Sequence, residues 1–425
     1  ARPRLRPSRP KTLNHSMRLD LVFPVLPPTL DGIGDHTHQL AAALAPTDDV
    51  RILTAQADHT SLPGVEVVQA YSLPPRRGIL QLPDAVRRDP PDWLLLQFNQ
   101  FSYGRWGLNP YLPLALRRIK QEFPGLRVAW LAHEDVVPLT SLRFAVMSTW
   151  QWAQFWALGR LADQIFFTTD VWVDTYHSWF PDTPMQCLPV GSNIPRVEVS
   201  RSTERERLSI ARDAFIIGYF GSLHNSRLLL TLRSALQRLR SINDRVEVLY
   251  VGTKGSALRA ELPGVPVHDA GALPADAVSR CFTAMDLHLT PFLDGVSTRR
   301  GSFMTGLQHG LPTVTTSGPH TAPWMADAHD EAFLLAAEDD PEAFADFAQA
   351  LMMNPARRRA LGAGGRAFYD RHFDWPVLAN TLRGALADNR SAMGAPTAPT
   401  PRMATKSAPS SPVPSSSTPS SPARP

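Results

Sequence analysis

The stretch 286–318, DLHLTPFLDGVSTRRGSFMTGLQHGLPTVTTSG, contains two short apolar runs, 287–292 and 314–316, separated by a polar loop and a helical segment. In the loop, Arg299 and Arg300 stand directly before a Gly-Ser pair. This order predicts a buried strand, a loop that enters a helix, and a second strand parallel to the first.

The same alternation fills both halves of the chain. Apolar, β-rich runs separated by helical segments are typical of parallel sheets that helices cover on both faces. We therefore predict an α/β protein with two doubly wound, Rossmann-like domains. Open parallel sheets bind ligands at the carboxyl ends of their strands, so we expect the functional site in a cleft between the domains. The predicted strands are 19–23, 51–55, 65–70, 92–98, 127–133, 164–169, 215–221, 246–252, 265–271, 286–292 and 312–318.

The length of 425 residues exceeds what one ordinary core needs, which favours two domains. The predicted segments follow the changes in composition. The last segment is rich in Pro and Ser and poor in large apolar residues, so we expect it to be disordered. The segments are a basic leader at 1–16, a first domain at 17–190, a linker at 191–206, a second domain at 207–372, a helix at 373–390 that returns to the first domain, and a tail at 391–425.

The basic isoelectric point of about 9.3 comes from the two ends of the chain. The leader carries five cations and no acid, and the tail carries three and no acid, so the body is mildly acidic and nucleic-acid binding is not expected. Cys187 and Cys281 lack metal-ligand spacing and are interpreted as packing residues in a reducing cytoplasm. No apolar run is long enough to span a membrane.

A glycine loop follows the first predicted strand. Gly32 and Gly34 permit close approach of a ligand, and a helix that begins near Asp35 would direct its free amides at an anion. A turn that binds nothing is the alternative. A dinucleotide fingerprint is disfavoured because a segment with three prolines separates the strand from the first glycine.

Ionisable residues follow a buried strand at His133, Glu134 and Asp135. A histidine at this edge can hydrogen-bond a sugar or polarise a leaving oxygen, although a structural role is the alternative. Metal binding by the three is disfavoured because adjacent residues on a strand point in opposite directions.

A second glycine loop follows the strand 215–221, with Gly221, Ser222 and Arg227 placed to meet a phosphate. The loop at 293–300 has more features of a phosphate site. Arg299 and Arg300 add charge to the helix N-terminus at Gly301 and Ser302, which predicts a diphosphate site that needs no metal. A solvated, charged turn is the alternative.

One helical segment, 147–161, is rich in aromatic residues. At 100 degrees per residue it groups Trp152, Phe155 and Trp156, with Trp150 on the far side. We expect it to be buried within its domain. An apolar acceptor, a lipid surface or a partner subunit is the alternative for its second side, so peripheral membrane contact is left open.

The motifs PP..DGIGDHTHQLAAAL, AHED, LPVGSN, YFGSL...R, DAGALPADAVSRCFTAMDLHLTPF, GLQHGLPTVTT and RAFYDRHFDW stand in one order along residues 17–387. In order and spacing they resemble the GT-B glycosyltransferases of family 4. The resemblance implies a cytoplasmic enzyme of hexosyltransferase type that moves a sugar from a nucleotide-diphosphate sugar to a glycan or lipid-linked acceptor. It also implies retention of configuration, no required metal and no cofactor besides the nucleotide-sugar substrate.

The resemblance also assigns residues. Gly32, Gly34 and His36 match the glycine loop of the acceptor domain, and His133 matches the histidine beside the donor sugar. Gly221 matches the loop glycine of the nucleotide domain. Arg227 stands where a lysine usually binds the diphosphate.

The chain departs from the family at the two glutamates that contact the donor sugar and ribose, where it has Ser297 and Thr305. Asp294 or Asp135 is a candidate for the missing carboxylate. The alternative is a GT-B scaffold or binding subunit without catalysis. A dehydrogenase on the same architecture is a third interpretation, and the displaced glycines disfavour it.

The family's arginine after the loop glycine is also missing, and Ser222 takes its place. Our hypothesis is that Arg300, with Arg299, supplies the diphosphate clamp from the neighbouring loop. Charge-assisted hydrogen bonds contribute roughly 1.5 to 3 kcal/mol each, which is enough to replace the lost contact.

Overall fold

A computed structural model describes residues 16–137, 139–224 and 226–394. The predicted leader up to residue 15 and the predicted tail from residue 395 lie outside the described residues. No helix in the described ranges is both long enough and apolar enough to cross a membrane.

The first domain is built on a seven-stranded sheet. Every neighbouring pair of its strands is parallel. The strands are β1 (Arg18–Val22), β2 (Asp49–Thr54), β3 (Val65–Gln69), β4 (Trp93–Phe98), β5 (Arg127–Ala132), β6 (Gln164–Phe167) and β7 (Met185–Cys187). They lie in the order β3-β2-β1-β4-β5-β6-β7, with Leu19 of β1 opposite Val50 of β2 and Trp93 of β4.

Helices cover both faces of this sheet, which explains why its strands are so apolar. All six residues of β4 are buried, as expected for a central strand with a core on each side. The helices are α1 (Gly32–Leu44), α2 (Leu82–Arg88), α3 (Tyr111–Glu122), α4 (Leu142–Leu161) and α5 (Asp170–Tyr176).

The second domain repeats the arrangement with six parallel strands. They are β8 (Phe215–Phe220), β9 (Val246–Val251), β10 (Val267–Asp269), β11 (Leu287–Thr290), β12 (Thr313–Ser317) and β13 (Leu334–Ala337), in the order β10-β9-β8-β11-β12-β13. The two strands that the sequence did not predict, β7 and β13, are both short. The two-domain, doubly wound α/β fold class is confirmed.

The helix that precedes this sheet, α6 (Arg201–Arg207), begins in the predicted linker and ends one residue beyond it. The helices that follow are α7 (Leu229–Ile242), α8 (Gly255–Glu261), α9 (Ala275–Ala284), α10 (Gly301–Gln308), α11 (Pro323–Ala326), α12 (Pro341–Met353), α13 (Pro355–His372) and α14 (Trp375–Gly394). Both α12 and α13 begin with Pro after a capping side chain, from Asp340 and Asn354 respectively. This is a favoured start for a helix.

The last helix packs on the first domain. Leu378, Leu382 and Leu386 of α14 share one core with Leu40 and Leu44 of α1. The C-terminal end of the described chain therefore helps to bury one face of the first sheet. Most of the helices that precede α14 pack in the second domain.

Candidate functional site

The carboxyl ends of the two sheets face each other across a narrow cleft. The hydroxyl of Thr298, after β11, donates to the carbonyl oxygen of Thr168, after β6, at 2.6 Å. Trp324 of α11 donates from Nε1 to Asp170 Oδ2 at 3.1 Å. The loops that carry most of the predicted site residues therefore lie close together.

The side chain of Arg227 is fixed by neighbours from three segments. Its Nη1 donates to Thr290 Oγ1 at 2.6 Å, and its Nη2 donates to Ser302 Oγ at 2.8 Å and to the carbonyl oxygen of Phe220 at 3.1 Å. Its Cζ lies 4.3 Å from the ring centroid of Phe292. All these partners are neutral, so Arg227 is held in place without having its charge balanced.

Arg300 packs against the same ring. Its Cζ is 4.6 Å from the centroid of Phe292, and its Nη1 donates to Ser226 Oγ at 3.2 Å. Arg299 reaches the other domain, with its Cζ 5.0 Å from the ring centroid of Trp172 in α5. The structure thus brings the adjacent arginines together with Arg227.

These three arginines, named here the arginine cluster (Arg227, Arg299 and Arg300), have an unbalanced charge. None of them forms an ion pair with a carboxylate of the described residues. Nε of Arg299, and Nε and Nη2 of Arg300, are buried with no hydrogen-bond partner in the described part of the chain.

The pKa shifts of Arg227 and Arg300 are consistent with the unbalanced charge. Burial lowers the pKa of Arg227. Burial and then repulsion from Arg299 and Arg227 lower the pKa of Arg300 to about 9, which leaves it charged at neutral pH. The carboxylates of Glu134 and Asp294 act in the opposite direction on Arg300, but neither forms an ion pair with the cluster. Positive charges held out of water without an ion-pair partner are destabilising, so the cluster favours a bound anion that carries more than one negative charge.

The backbone adds to this site at the N-terminus of α10. No described side chain caps this end, and a Cβ built on Gly301 would meet nothing within 4 Å. Free amides and the positive end of the helix dipole therefore face open space beside the arginine cluster. Of the two residues predicted to supply hydroxyls here, Ser302 is bonded to Arg227 and Ser222 is exposed.

Gly221 lets the β8 loop approach α10 closely. Its φ is +103°, which favours glycine. A Cβ at this position would lie 3.2 Å from Nη2 of Arg227 and 3.7 Å from Cβ of Ser302. The glycine therefore lies directly against Arg227 and the start of α10.

Ser297 and Thr305, which the resemblance assigns to the positions of the family's glutamates, are both buried. Thr305 Oγ1 donates to the carbonyl oxygen of Gly301 at 2.9 Å and shares a 3.0 Å hydrogen bond with Ser192 Oγ. Ser297 Oγ has no partner among the described residues. Thr305 therefore helps to pack α10 on the segment between the domains, and a role of either residue at the ribose or sugar stays a prediction.

The glycine loop of the first domain differs from the prediction. Helix α1 begins at Gly32, before Asp35, and Asp31 is its N-cap. Asp31 Oδ1 accepts from the amides of Ile33 and Gly34, both at 2.9 Å. Since the capping carboxylate occupies these amides, they are not available to an anion, and that part of the prediction is wrong. An Asp directly before the helix was the sequence signal for this cap.

The two glycines of this loop have different structural roles. A Cβ on Gly34 would lie 2.5 Å from the carbonyl oxygen of Val25, whereas a Cβ on Gly32 would meet nothing within 4 Å. We expect Gly34→Ala to destabilise the first domain by about 2 to 3 kcal/mol, because the backbone of the preceding loop must move.

Thermal unfolding of the two alanine variants tests this difference. Gly34→Ala should lower the Tm by roughly 4 to 12 °C, and the matched control Gly32→Ala should leave it nearly unchanged. Equal midpoints for the two variants would show that the close approach to Val25 is unimportant.

Asp35 carries a pH-dependent contribution to stability. Burial, and then repulsion from Asp31, raise its pKa to about 6. The folded state therefore holds this proton more tightly than the unfolded chain, whose carboxyl titrates at about 4. The contribution of Asp35 to the free energy of unfolding is therefore lost as the pH rises from about 4 through about 6.

Asp35→Asn is therefore expected to stabilise the protein at pH 7. The gain should be about 1 kcal/mol, a figure reduced for the partial exposure of the carboxyl, and should shrink at pH 4. Thermal unfolding of wild type and variant at both pH values measures it. A variant no more stable than wild type at pH 7 would show that the charged carboxylate is well accommodated.

His133 and His36 form a buried, uncharged pair. Nε2 of His133 lies 2.6 Å from Gln97 Oε1, and since an amide oxygen only accepts, this nitrogen carries the proton and Nδ1 is an acceptor. The two imidazole centroids are 4.7 Å apart, and His36 lies 5.1 Å from Trp375. Burial lowers the pKa of both, that of His36 to about 3. Both are neutral at pH 7, so His133 can orient a hydroxyl but is a poor proton donor.

The two candidate carboxylates lie on opposite sides of the cleft. Asp135 accepts hydrogen bonds from the hydroxyl of Tyr176 and the amide of Val136, and burial raises its pKa. Asp294 has φ +65° and its charge acts to raise the pKa of Arg300, which places the carboxylate near the arginine cluster.

His320 is a site residue that sequence reasoning missed. Its amide donates to the carbonyl oxygen of Asp294 at 2.9 Å. Burial and then repulsion from Arg299 lower its pKa, while Asp294 and Asp135 act in the opposite direction. It therefore lies among the charged groups of both domains. It follows β12, a strand that was predicted, but no local motif singles it out.

Residues 214–354, which cover β8 through α12, match the family model described as Glycosyl transferases group 1. The matched residues lie within the second domain. The recognition made from the ordered motifs is thereby confirmed for the domain that carries the arginine cluster. No curated protein matches the chain.

Solved structures share the two-domain architecture of this chain. Sucrose-phosphate synthase from Thermosynechococcus elongatus has a TM-score of 0.66 at 16% identity, covering 88% of this chain and 99% of that one. WaaG, a glycosyltransferase involved in lipopolysaccharide biosynthesis, has a TM-score of 0.61 at 18% identity, with coverage of 87% and 99%. HepE from Anabaena, in complex with UDP and glucose, has a TM-score of 0.59 at 15% identity, with coverage of 87% and 99%. At these identities the likeness establishes the GT-B fold.

Within the described ranges, no group of three or more His, Cys, Asp or Glu side chains is arranged to hold a metal ion. Cys187 and Cys281 are both free thiols.

Proposed function

We propose that this protein transfers a sugar from a nucleotide-diphosphate sugar to an acceptor, with the diphosphate bound by the arginine cluster. One observation carries the proposal: three guanidinium groups converge beside a free helix N-terminus without an ion-pair partner among the described residues. A diphosphate has the charge and the oxygen atoms that such a site requires.

In this reaction the bond between the sugar C1 and the diphosphate oxygen breaks, and its electron pair stays on the diphosphate. The acceptor oxygen bonds to C1 and loses its proton. Arg227 and Arg300 stabilise the charge that develops on the departing diphosphate, because both are fixed in place before the reaction. These cations do the work that a metal does in other enzymes, so we propose a metal-independent reaction.

Retention of configuration, a hexosyl donor and a cytoplasmic location are further parts of the proposal that rest on the family resemblance. His133 is proposed to accept a hydrogen bond from a hydroxyl of the donor sugar through Nδ1. Asp294 is the better placed candidate for the missing carboxylate, because Tyr176 and a backbone amide already bond to Asp135.

One observation favours a second candidate, a scaffold or binding subunit without catalysis. Both positions of the usual glutamates hold buried hydroxyl side chains, Ser297 and Thr305, and one of these hydroxyls is engaged in packing. A scaffold of this kind would bind no nucleotide, or would bind it without turnover.

Thermal unfolding with UDP, GDP, ADP and dTDP, followed by assay of the corresponding nucleotide sugars for release of the diphosphate, tests both candidates. UDP is tested first because HepE, which has the same fold, was solved in complex with UDP. A ligand at about 100 times its Kd adds roughly 2.7 kcal/mol, a shift of several degrees. A shift with turnover supports the enzyme. A shift without turnover, or no shift at all, supports the scaffold.

A further inference from the structure

A cavity of about 910 Å³ opens at the carboxyl edge of the first sheet, beside β1, β2 and β4. Its volume lies in the range typical of small-molecule sites, about 300 to 1,000 Å³. The arginine cluster does not contribute to its lining. Most of its wall is apolar, with side chains from Pro24, Pro28, Leu73, Pro74, Phe101 and Trp106.

Trp106 is held in a strained conformation at this wall. Its φ of 61° and ψ of 22° lie in the left-handed region, which is unfavourable for a bulky residue. Trp150 Nε1 and Gln151 Nε2, both from α4, donate to the carbonyl oxygen of Trp106 at 3.0 and 3.3 Å. These contacts maintain the conformation, and they explain why an aromatic residue stands on the far side of α4.

The strain leaves an apolar ring partly in solvent. Trp106 is 50% exposed and Phe101 is 51% exposed, and both line the cavity. A ligand that buried these two rings would gain free energy, which would offset the backbone strain at Trp106.

Two polar side chains of the wall are engaged with the protein, whereas those of Thr29, Asp58 and Ser102 also line the cavity. Arg76 Nη2 donates to the carbonyl oxygen of Arg105 at 2.8 Å, and Gln56 Oε1 accepts from the amide of Leu26 at 3.0 Å. The guanidinium of Arg105 lies over the Trp106 ring, 5.1 Å from its centroid. Because most of the wall is apolar, burial of apolar surface is the main source of affinity that this cavity offers, and the remaining polar side chains can bind the hydroxyls of a ligand.

We infer that the cavity binds the acceptor, and that the acceptor carries an apolar ring or chain next to the hydroxyl that receives the sugar. That the bound molecule is a sugar acceptor rests on the proposed function. The chemical class of this acceptor is new, and Trp106 and Phe101 are the residues that select it.

Three glucosides that share one head group test the inference by isothermal titration calorimetry. They are octyl β-glucoside below its micelle concentration, 4-nitrophenyl β-glucoside, and methyl β-glucoside as the polar control. Octyl or 4-nitrophenyl glucoside should bind wild type at least about tenfold more tightly than methyl glucoside. The two apolar probes distinguish a chain from a ring.

Two Trp variants localise the binding. Trp106→Gly removes the ring and also removes the backbone strain, so the variant is expected to fold, and it should bind the apolar glucoside about tenfold more weakly. The matched control is Trp156→Ala, because Trp156 is 53% exposed and lies outside the cavity lining. It should bind as wild type does.

Equal binding of all three glucosides, no binding of any of them, or full affinity in Trp106→Gly would overturn the inference. Assay of nucleotide-sugar turnover on the same samples separates this result from the proposed function, because the donor site does not include Trp106. If the nucleotide sugar is still turned over, only the acceptor class is wrong.

Discussion

Replacing Arg300 with Met is expected to weaken nucleoside diphosphate binding by about 10- to 100-fold and to raise the Tm of the ligand-free protein. The affinity falls because the diphosphate loses at least one charge-assisted contact, worth roughly 1.5 to 3 kcal/mol. The Tm rises because Met keeps an apolar stem next to Phe292 while one of three mutually repelling cations is removed.

Calorimetric titration of the best nucleotide, with thermal unfolding of the same samples, measures both effects. Arg280→Met is the matched control, since Arg280 is an exposed arginine of the same domain, and it should change neither quantity. Unchanged affinity in Arg300→Met would exclude Arg300 from the diphosphate site, even if the variant were more stable.

His133→Ala is expected to lower the turnover of the donor by about 100-fold while leaving nucleoside diphosphate affinity unchanged. The reason is that a preorganised hydrogen bond to the sugar is lost, whereas the contacts to the diphosphate lie in the other domain. Because His133 is neutral, the wild-type rate should show no change with a pKa near 6.5 that disappears in the variant.

Release of the nucleoside diphosphate between pH 6 and pH 8 measures this second effect. His177→Ala serves as the control and should retain the wild-type rate, because His177 is exposed and lies directly after α5. A rate change near pH 6.5 that the His133 variant lacks would show that this histidine transfers a proton.

Sequence patterns predicted the sheets well because apolar strands in a doubly wound fold are buried on both faces. The strands they missed, β7 and β13, have three and four residues and so give little periodic signal. The sequence analysis assigned both Arg227 and Arg300 to the diphosphate site, but their proximity depends on the pairing of β8 with β11, which only the structure shows.

Contacts between distant segments could not be predicted in the same way. His320, the stacking of Arg299 on Trp172, and the clamp on Trp106 each depend on how separate elements pack. Local chemistry was also misread in one place. Asp31 is a favourable N-cap residue, and attention to it would have placed the start of α1 correctly.

A crystal structure with the tightest-binding nucleoside diphosphate is the most direct test of the diphosphate site. We predict diphosphate oxygens about 3 Å from the guanidinium nitrogens of Arg300 or Arg227 and from the amides at the start of α10. A nucleotide bound with its diphosphate away from these groups, for instance at the start of α1, would contradict it.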